Sequence, residues 1–365
     1  MNEVNSNKRY QIRSFRANSL LNNPINSPIE RKLAIYLPPD YFESEKHYPV
    51  IYFIHGYTGN IDNLSITPKW DDNKNLPIDL IPPEILKMVE VDNITSYVKI
   101  DELITKLDWP PFILVQPDAS LYLPHYLGHK EITGDTKTKG SFYINSPFTG
   151  NFADLIIKDV IEYIDGHYRT IPNNQKRGLV GTSMGGYGAF YLSLHYPDKF
   201  IACVALSPAN MTLRLLTHEM ISPLNELMLG KEEAINSGKT AVADICDTFD
   251  LITSKDNPIT KFDNNGDVGD INDEGLRKWE KFDLNNIMKE YPESFKKVNL
   301  LFNCHIDDQY GFAEEAKKLH ETLVNLGIDH QFEIYDDPRA KLEPHTLGTG
   351  YHILPALKYC NQFFI

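Results

Sequence analysis

A chain of 365 residues, 42% hydrophobic and 24% charged, is long enough for one large globular domain with a sizeable core. Its formal net charge of −14 argues against partners that present a phosphate backbone or an anionic membrane surface. No run approaches the roughly 18 apolar residues of a membrane span, and residues 1–8 carry no apolar stretch of secretory type, so a cytoplasmic protein is expected.

In chain order, apolar runs alternate with helical patterns, as a mostly parallel sheet flanked by helices requires. Strands are expected over 31–37, 49–55 and 111–116. An amphipathic helix over 151–168 places Phe152, Leu155, Ile156, Val160 and Ile164 on one face. Strands follow over 178–180, 200–206, 298–304 and 330–335. Phe312, Ala316, Leu319, Leu323 and Leu326 mark a helix over 312–326 that Gly327 ends, and a last helix is expected over 351–364. Two segments interrupt this rhythm. Residues 60–109 exceed a normal connection and include a helix near 101–106. Residues 211–291 are too long to be structureless and are expected to form a lid-like insertion within a single domain spanning 1–365. The four cysteines, Cys203, Cys246, Cys304 and Cys360, form no CxxC pair and are expected to be reduced and buried.

The most informative segment is Gly178-Leu179-Val180-Gly181-Thr182-Ser183-Met184-Gly185-Gly186-Tyr187. An apolar strand runs into Gly181-x-Ser183-x-Gly185 and then directly into a helix. A serine there sits on a sharp strand-to-helix turn that pushes its hydroxyl clear of the backbone, while the glycines let the two backbones pass closely. The Met184 amide is left at a helix N-terminus, ready to donate to an oxyanion. The bland alternative is a serine that merely caps the helix. A nucleophile on such a turn is followed in the chain by an acid and then a histidine, the order of the α/β-hydrolase fold.

The acid must leave the carboxyl end of a later strand. Leu300 to Tyr310 supplies Asp307 and Asp308 after an apolar strand. Four histidines follow. His320 lies inside an amphipathic helix and His330 precedes a core strand, which suits structural roles. His345 lies in the loop over 336–346, before the last helix, where a general base approaches a serine. His352, seven residues on, is the alternative. Early in the chain, Tyr52-Phe53-Ile54-His55-Gly56-Tyr57 ends a strand in a turn whose Tyr57 amide suits a second oxyanion donor. His55 reads as a packed residue rather than a base. Tyr143, Phe148 and Trp279 are aromatic candidates for the lining of the site.

His55-Gly56-Tyr57, Gly140-Ser141-Phe142-Tyr143-Ile144-Asn145-Ser146-Pro147, Gly181 to Gly188 and Cys304 to Tyr310 together resemble the "Putative esterase" family of the α/β-hydrolases. That family includes esterase D-type S-formylglutathione hydrolases, feruloyl esterases and mycolyltransferases. The resemblance spans about residues 31–364 and is weakest over the two long segments. It implies a nucleophile at Ser183, oxyanion amides at Tyr57 and Met184, and an acid four positions after the cysteine, which selects Asp308. It also implies hydrolysis of a small-molecule ester with no metal or organic cofactor. His305 departs from the family pattern, where a small residue is usual.

The expected function is therefore that of a serine carboxylesterase using Ser183, Asp308 and His345. Acyl transfer to an alcohol by the same triad and a catalytically silent binding protein of the same fold are the alternatives. No nucleic-acid or membrane partner is expected, and a homo-oligomer is compatible with the sequence. One further pattern, Asp263-Asn264-Asn265-Gly266-Asp267-Val268-Gly269-Asp270 with Glu274, approximates the oxygen spacing of a calcium loop. Val268 replaces its required glycine, so an acidic solvated loop is expected instead.

Overall fold

The seven strands expected from apolar runs all form, each within two residues of its expected ends. The computed structural model describes residues 9–59, 61, 97–106, 108–123 and 138–364. Its strands are β1 (Tyr10–Arg16), β2 (Glu30–Tyr36), β3 (Val50–Ile54), β4 (Ile113–Pro117), β5 (Ser120–Tyr122), β6 (Thr138–Gly140), β7 (Asn145–Ser146), β8 (Gly150–Asn151), β9 (Arg177–Thr182), β10 (Ala202–Leu206), β11 (Asn299–His305) and β12 (Gln331–Tyr335). Eight of them make one sheet in the order β1-β2-β4-β3-β9-β10-β11-β12. The run from β4 to β12 is parallel throughout, and β1 and β2 close one edge in antiparallel pairing. β5 pairs with β6, and β7 with β8, in two short ribbons.

The sheet is buried on both faces, and β3 and β10 are accordingly apolar at every position. In β3, Val50, Tyr52 and Ile54 join one core while Ile51 and Phe53 join the other. In β10, Cys203 and Ala205 face the first core and Ala202, Val204 and Leu206 the second. The helix Met184–His195 fills the first core with Met184, Tyr187, Phe190 and Leu192, and the helix Phe312–Asn325 adds Ala316, Leu319 and Leu323. The C-terminal helix Pro344–Asn361 covers the opposite face with Ile353, Leu357 and Cys360. All four cysteines are free and buried.

Besides the short strands β5 to β8, which are not among the expected elements, β1 and the last helix differ from expectation. β1 escapes a reading based on apolar runs because it is an edge strand, three of whose seven residues in succession are exposed. The last helix begins at Pro344, seven residues earlier than expected, since proline is preorganised for the first helical position. His345 thus stands in the first turn of that helix and not in a loop. Most of the long segment over 60–109 lies outside the described residues, but its expected helix occurs as Tyr97–Lys106.

Residues 211–291 hold five helices: Arg214–Thr217, Pro223–Leu229, Lys231–Ser254, Asp273–Glu280 and Leu284–Glu290. All but Pro223–Leu229 place apolar residues in the first core, and Phe249 stands at the junction. Its ring meets Phe142 at 4.8 Å, Trp279 at 4.9 Å and Phe282 at 6.1 Å. Emptying such an aromatic site costs about 3–5 kcal/mol. Tyr143 and Trp279, expected as lining candidates, are instead 0% and 1% exposed and belong to this core.

Candidate active site

Ser183 occupies the turn between β9 and the helix Met184–His195, with φ 56° and ψ −117°. A non-glycine residue with positive φ is strained, so the surrounding chain must hold it. The Ser183 amide donates to Leu206 O at 2.8 Å, and Ser183 O accepts from the amides of Tyr187 and Ala209. The flanking glycines are a steric necessity. A Cβ on Gly181 would lie 1.9 Å from Gly185 O, and one on Gly185 would lie 2.1 Å from Ile54 O. The Ser183 side chain makes no capping hydrogen bond to the helix, which removes the bland alternative.

The loop after β3 runs beside this turn, for a Cβ on Gly56 would sit 3.4 Å from Ser183 Cβ. His55 shapes that loop. Its Nε2 accepts the Ala119 amide proton at 3.1 Å, so Nδ1 carries the ring proton and donates to Gly56 O at 2.9 Å. Burial pushes the imidazole pKa down and keeps it neutral, and both nitrogens are committed to backbone groups. Tyr57 follows, while Met184 opens the helix, where an amide lacks an intrahelical acceptor. The segment Gly140 to Tyr143 passes under both residues. A Cβ on Gly140 would meet Met184 Sδ at 2.3 Å and Tyr57 Cδ2 at 2.5 Å. Phe142 and Tyr143 are held at φ 51° and 57°, and the Tyr143 hydroxyl donates to His55 O at 2.9 Å.

The two aspartates after β11 part company in their surroundings. Asp307 is exposed, and its amide donates to His305 Nδ1 at 3.0 Å. Asp308 is 5% exposed and accepts from the Tyr310 amide at 3.0 Å and from Cys304 Sγ at 3.5 Å. Its Oδ2 lies 2.6 Å from His345 Nδ1. Burial raises this carboxyl, but the charge and hydrogen bond of His345, with the Tyr310 amide and Cys304, outweigh it and hold Asp308 below the usual carboxylate range. The His345 ring is enclosed by Tyr310 at 4.8 Å and Phe312 at 5.5 Å, both nearly edge-on.

The structure brings His345, and not His352, to Asp308. His352 stacks on Tyr335 at 3.9 Å, and its Nδ1 accepts from Asn303 Nδ2 at 2.8 Å. His305, the departure from the family pattern, has a structural purpose. With Nδ1 accepting from Asp307, its Nε2 contacts Asp337 O at 3.3 Å and ties the acid turn to the loop that leads to His345.

Several neighbours carry no signal readable from the sequence. Gln309 Oε1 accepts the His345 amide proton at 2.8 Å, and its Nε2 donates to Glu343 Oε2 at 2.8 Å. Glu343 Oε1 accepts from the Ser222 hydroxyl of the insertion. His218, also from the insertion, contacts Gln309 O through Nε2 at 3.1 Å. These pairs join residues 34 to 121 positions apart, beyond the reach of any local pattern.

In the acidic loop, Asp263 Oδ1 accepts from the amides of Asn265 and Asp267, and Asp267 pairs with Lys239 at 2.5 Å. Among the described residues no group of three or more His, Cys, Asp or Glu side chains is arranged to hold a metal ion. No described helix is long and apolar enough to cross a membrane.

Residues 27–78 and 137–250 match the family model described as "Putative esterase". Among solved structures, a ferulic acid esterase aligns with a TM-score of 0.59 at 16% identity, covering 98% of each chain. An S-formylglutathione hydrolase from Agrobacterium tumefaciens aligns with a TM-score of 0.54 at 15% identity, covering 98% of this chain and 95% of that one. Fluorophosphonate-binding serine hydrolase F of Staphylococcus aureus aligns with a TM-score of 0.51 at 14% identity, covering 97% of both. The structural likenesses carry the α/β-hydrolase fold, and the family model covers the two segments that hold Tyr57 and Ser183: the chain is similar to the "Putative esterase" family over those residues and is a carboxylic ester hydrolase.

Proposed function

We propose that the chain is a serine carboxylesterase in which Ser183 is the nucleophile, His345 the general base and Asp308 its orienting acid, with the Tyr57 and Met184 amides as the oxyanion hole. The observation that carries this reading is the 2.6 Å contact between Asp308 Oδ2 and His345 Nδ1 at the sheet edge that also bears Ser183. Ser183 and Asp308 follow strands two apart, roughly 10 Å across the sheet. An imidazole with a hydrogen bond of about 2.8 Å at each nitrogen covers most of that span.

In acylation, Ser183 Oγ forms a bond to the ester carbonyl carbon while His345 Nε2 takes the hydroxyl proton. The carbonyl electron pair moves onto oxygen, where the two amides receive it. Collapse breaks the bond to the alcohol oxygen, which leaves with the proton from His345. Water then repeats the sequence on the acyl-enzyme and releases the acid. Asp308 keeps the proton on Nδ1 throughout and faces the imidazolium as it forms. The excess of acidic side chains supports small ester substrates over nucleic acid.

A fluorophosphonate probe tests this reading. The wild-type protein should be labelled stoichiometrically and Ser183→Ala not at all. Ser183→Ala should also lose at least 10³-fold in kcat on p-nitrophenyl acetate while remaining folded. Labelling or near wild-type turnover in that variant would refute the assignment.

A further inference from the structure

The side chain of Tyr57 leads from the sheet edge into the insertion. Its hydroxyl donates to Asp244 Oδ2 at 2.8 Å and lies 2.7 Å from Thr248 Oγ1, both on the helix Lys231–Ser254. The other Asp244 oxygen accepts from Lys139 Nζ at 2.6 Å, and both side chains of this ion pair are 13% exposed. Lys139 immediately precedes Gly140, the residue against which the Tyr57 ring packs. Burial, then the Asp244 charge, push the Tyr57 phenol well above its usual range, so it remains a donor at any working pH. The ring is thus held along its flank by Gly140 and at its tip by Asp244, while its backbone enters the turn at Thr58, φ 60°.

We propose that Asp244 is a positioning residue for ester hydrolysis: through the Tyr57 hydroxyl it sets the place of the Tyr57 amide, so that the insertion over 211–291 forms part of the oxyanion hole and is more than a cover. This rests on the oxyanion assignment above. An oxyanion donor acts through its distance from a charge that exists only in the transition state. Releasing the tip of the ring therefore lowers kcat and leaves substrate binding almost untouched. Loss of a whole oxyanion donor costs about 10²–10³ in kcat, and a displaced one, still present, costs less, about tenfold.

Tyr57→Phe deletes one oxygen, and Asp244→Asn keeps an acceptor while removing the charge. For both, kcat on p-nitrophenyl acetate should fall about tenfold with KM within twofold. Inhibition by phenylboronic acid, which forms a tetrahedral adduct with serine, should weaken by the same factor. The double variant should be no slower than the slower single variant, because both changes cut one link. Unchanged kcat in folded Tyr57→Phe, a loss confined to KM, or multiplicative effects in the double variant would overturn the proposal. If Asp244→Asn fails to fold, Tyr57→Phe decides alone. A wild-type protein that neither hydrolyses the ester nor takes the fluorophosphonate label refutes the triad reading. An active wild type with an unaffected Tyr57→Phe refutes only this inference.

Discussion

Asp308→Asn is the sharpest probe of the acid, because its neighbour Asp307 is a built-in control. Asparagine is close to isosteric, and its Oδ1 still accepts from the Tyr310 amide, so the fold should survive. Its amide nitrogen, however, would face His345 Nδ1 where a carboxylate now stands at 2.6 Å. That nitrogen donates, which forces the ring proton onto Nε2 and leaves no lone pair to accept from Ser183. The variant also removes the charge facing the imidazolium. At about 4 Å and an effective dielectric constant near 20, one such pair contributes about 4 kcal/mol. Together these effects predict a loss of about 10³–10⁴ in kcat, equivalent to about 4–5.5 kcal/mol. Stopped-flow release of p-nitrophenol, with the fold checked by near-UV circular dichroism, measures it. Asp307→Asn, which changes an exposed carboxylate, should stay within twofold of wild type. Asp308 has a lowered folded-state pKa, so its stabilising contribution is complete above about pH 4 and lost as pH falls through that lowered value. Asp308→Asn should flatten this acid limb in denaturant titrations. A folded Asp308→Asn with more than a tenth of wild-type kcat, or an equal loss in Asp307→Asn, would refute the reasoning.

His345→Ala should abolish the burst of p-nitrophenol, whereas His352→Ala should keep it and lower Tm, since it loses the Tyr335 stack and the Asn303 hydrogen bond; a full burst in His345→Ala would move the base elsewhere. In the insertion, Asp250 accepts from Trp279 Nε1 at 2.6 Å and from the Ile259 amide at 3.0 Å. Asp250→Ala should destabilise by about 2–4 kcal/mol in urea titrations by leaving two buried donors unsatisfied. Burial, partly offset by these donors, raises the Asp250 carboxyl to about 7, so folding takes up a proton and stability falls as pH rises from about 4 to 7. At 1.36 kcal/mol per pH unit over the two units from pH 5 to 7, the component lost between pH 5 and 8 is about 3 kcal/mol, and Asp250→Asn should lack it; an unchanged pH slope would refute the attribution.

The sequence by itself determined what depends on local sterics and on apolar periodicity. Gly181 and Gly185 announce the turn at Ser183 because no side chain fits where two backbones pass at contact distance. The apolar runs of β3, β9, β10 and β11 announce a parallel sheet because a strand buried on both faces can hold little else. β1 was illegible for the converse reason, as a half-exposed edge strand has no run to show. Tertiary structure decided everything that depends on partners distant in sequence. Asp307 and Asp308 are chemically identical neighbours on one turn; a family resemblance selects Asp308, but the physical difference between them is burial beside Cys304 and Tyr310. His345 meets Asp308 across 37 positions, and Tyr57 meets Asp244 across 187. Neither separation bears any relation to a helical or strand period, because those periods describe only the neighbours a chain makes with itself. Long-range polar pairs are chosen by how helices and loops pack at the sheet edge, and that information exists only once the chain has folded.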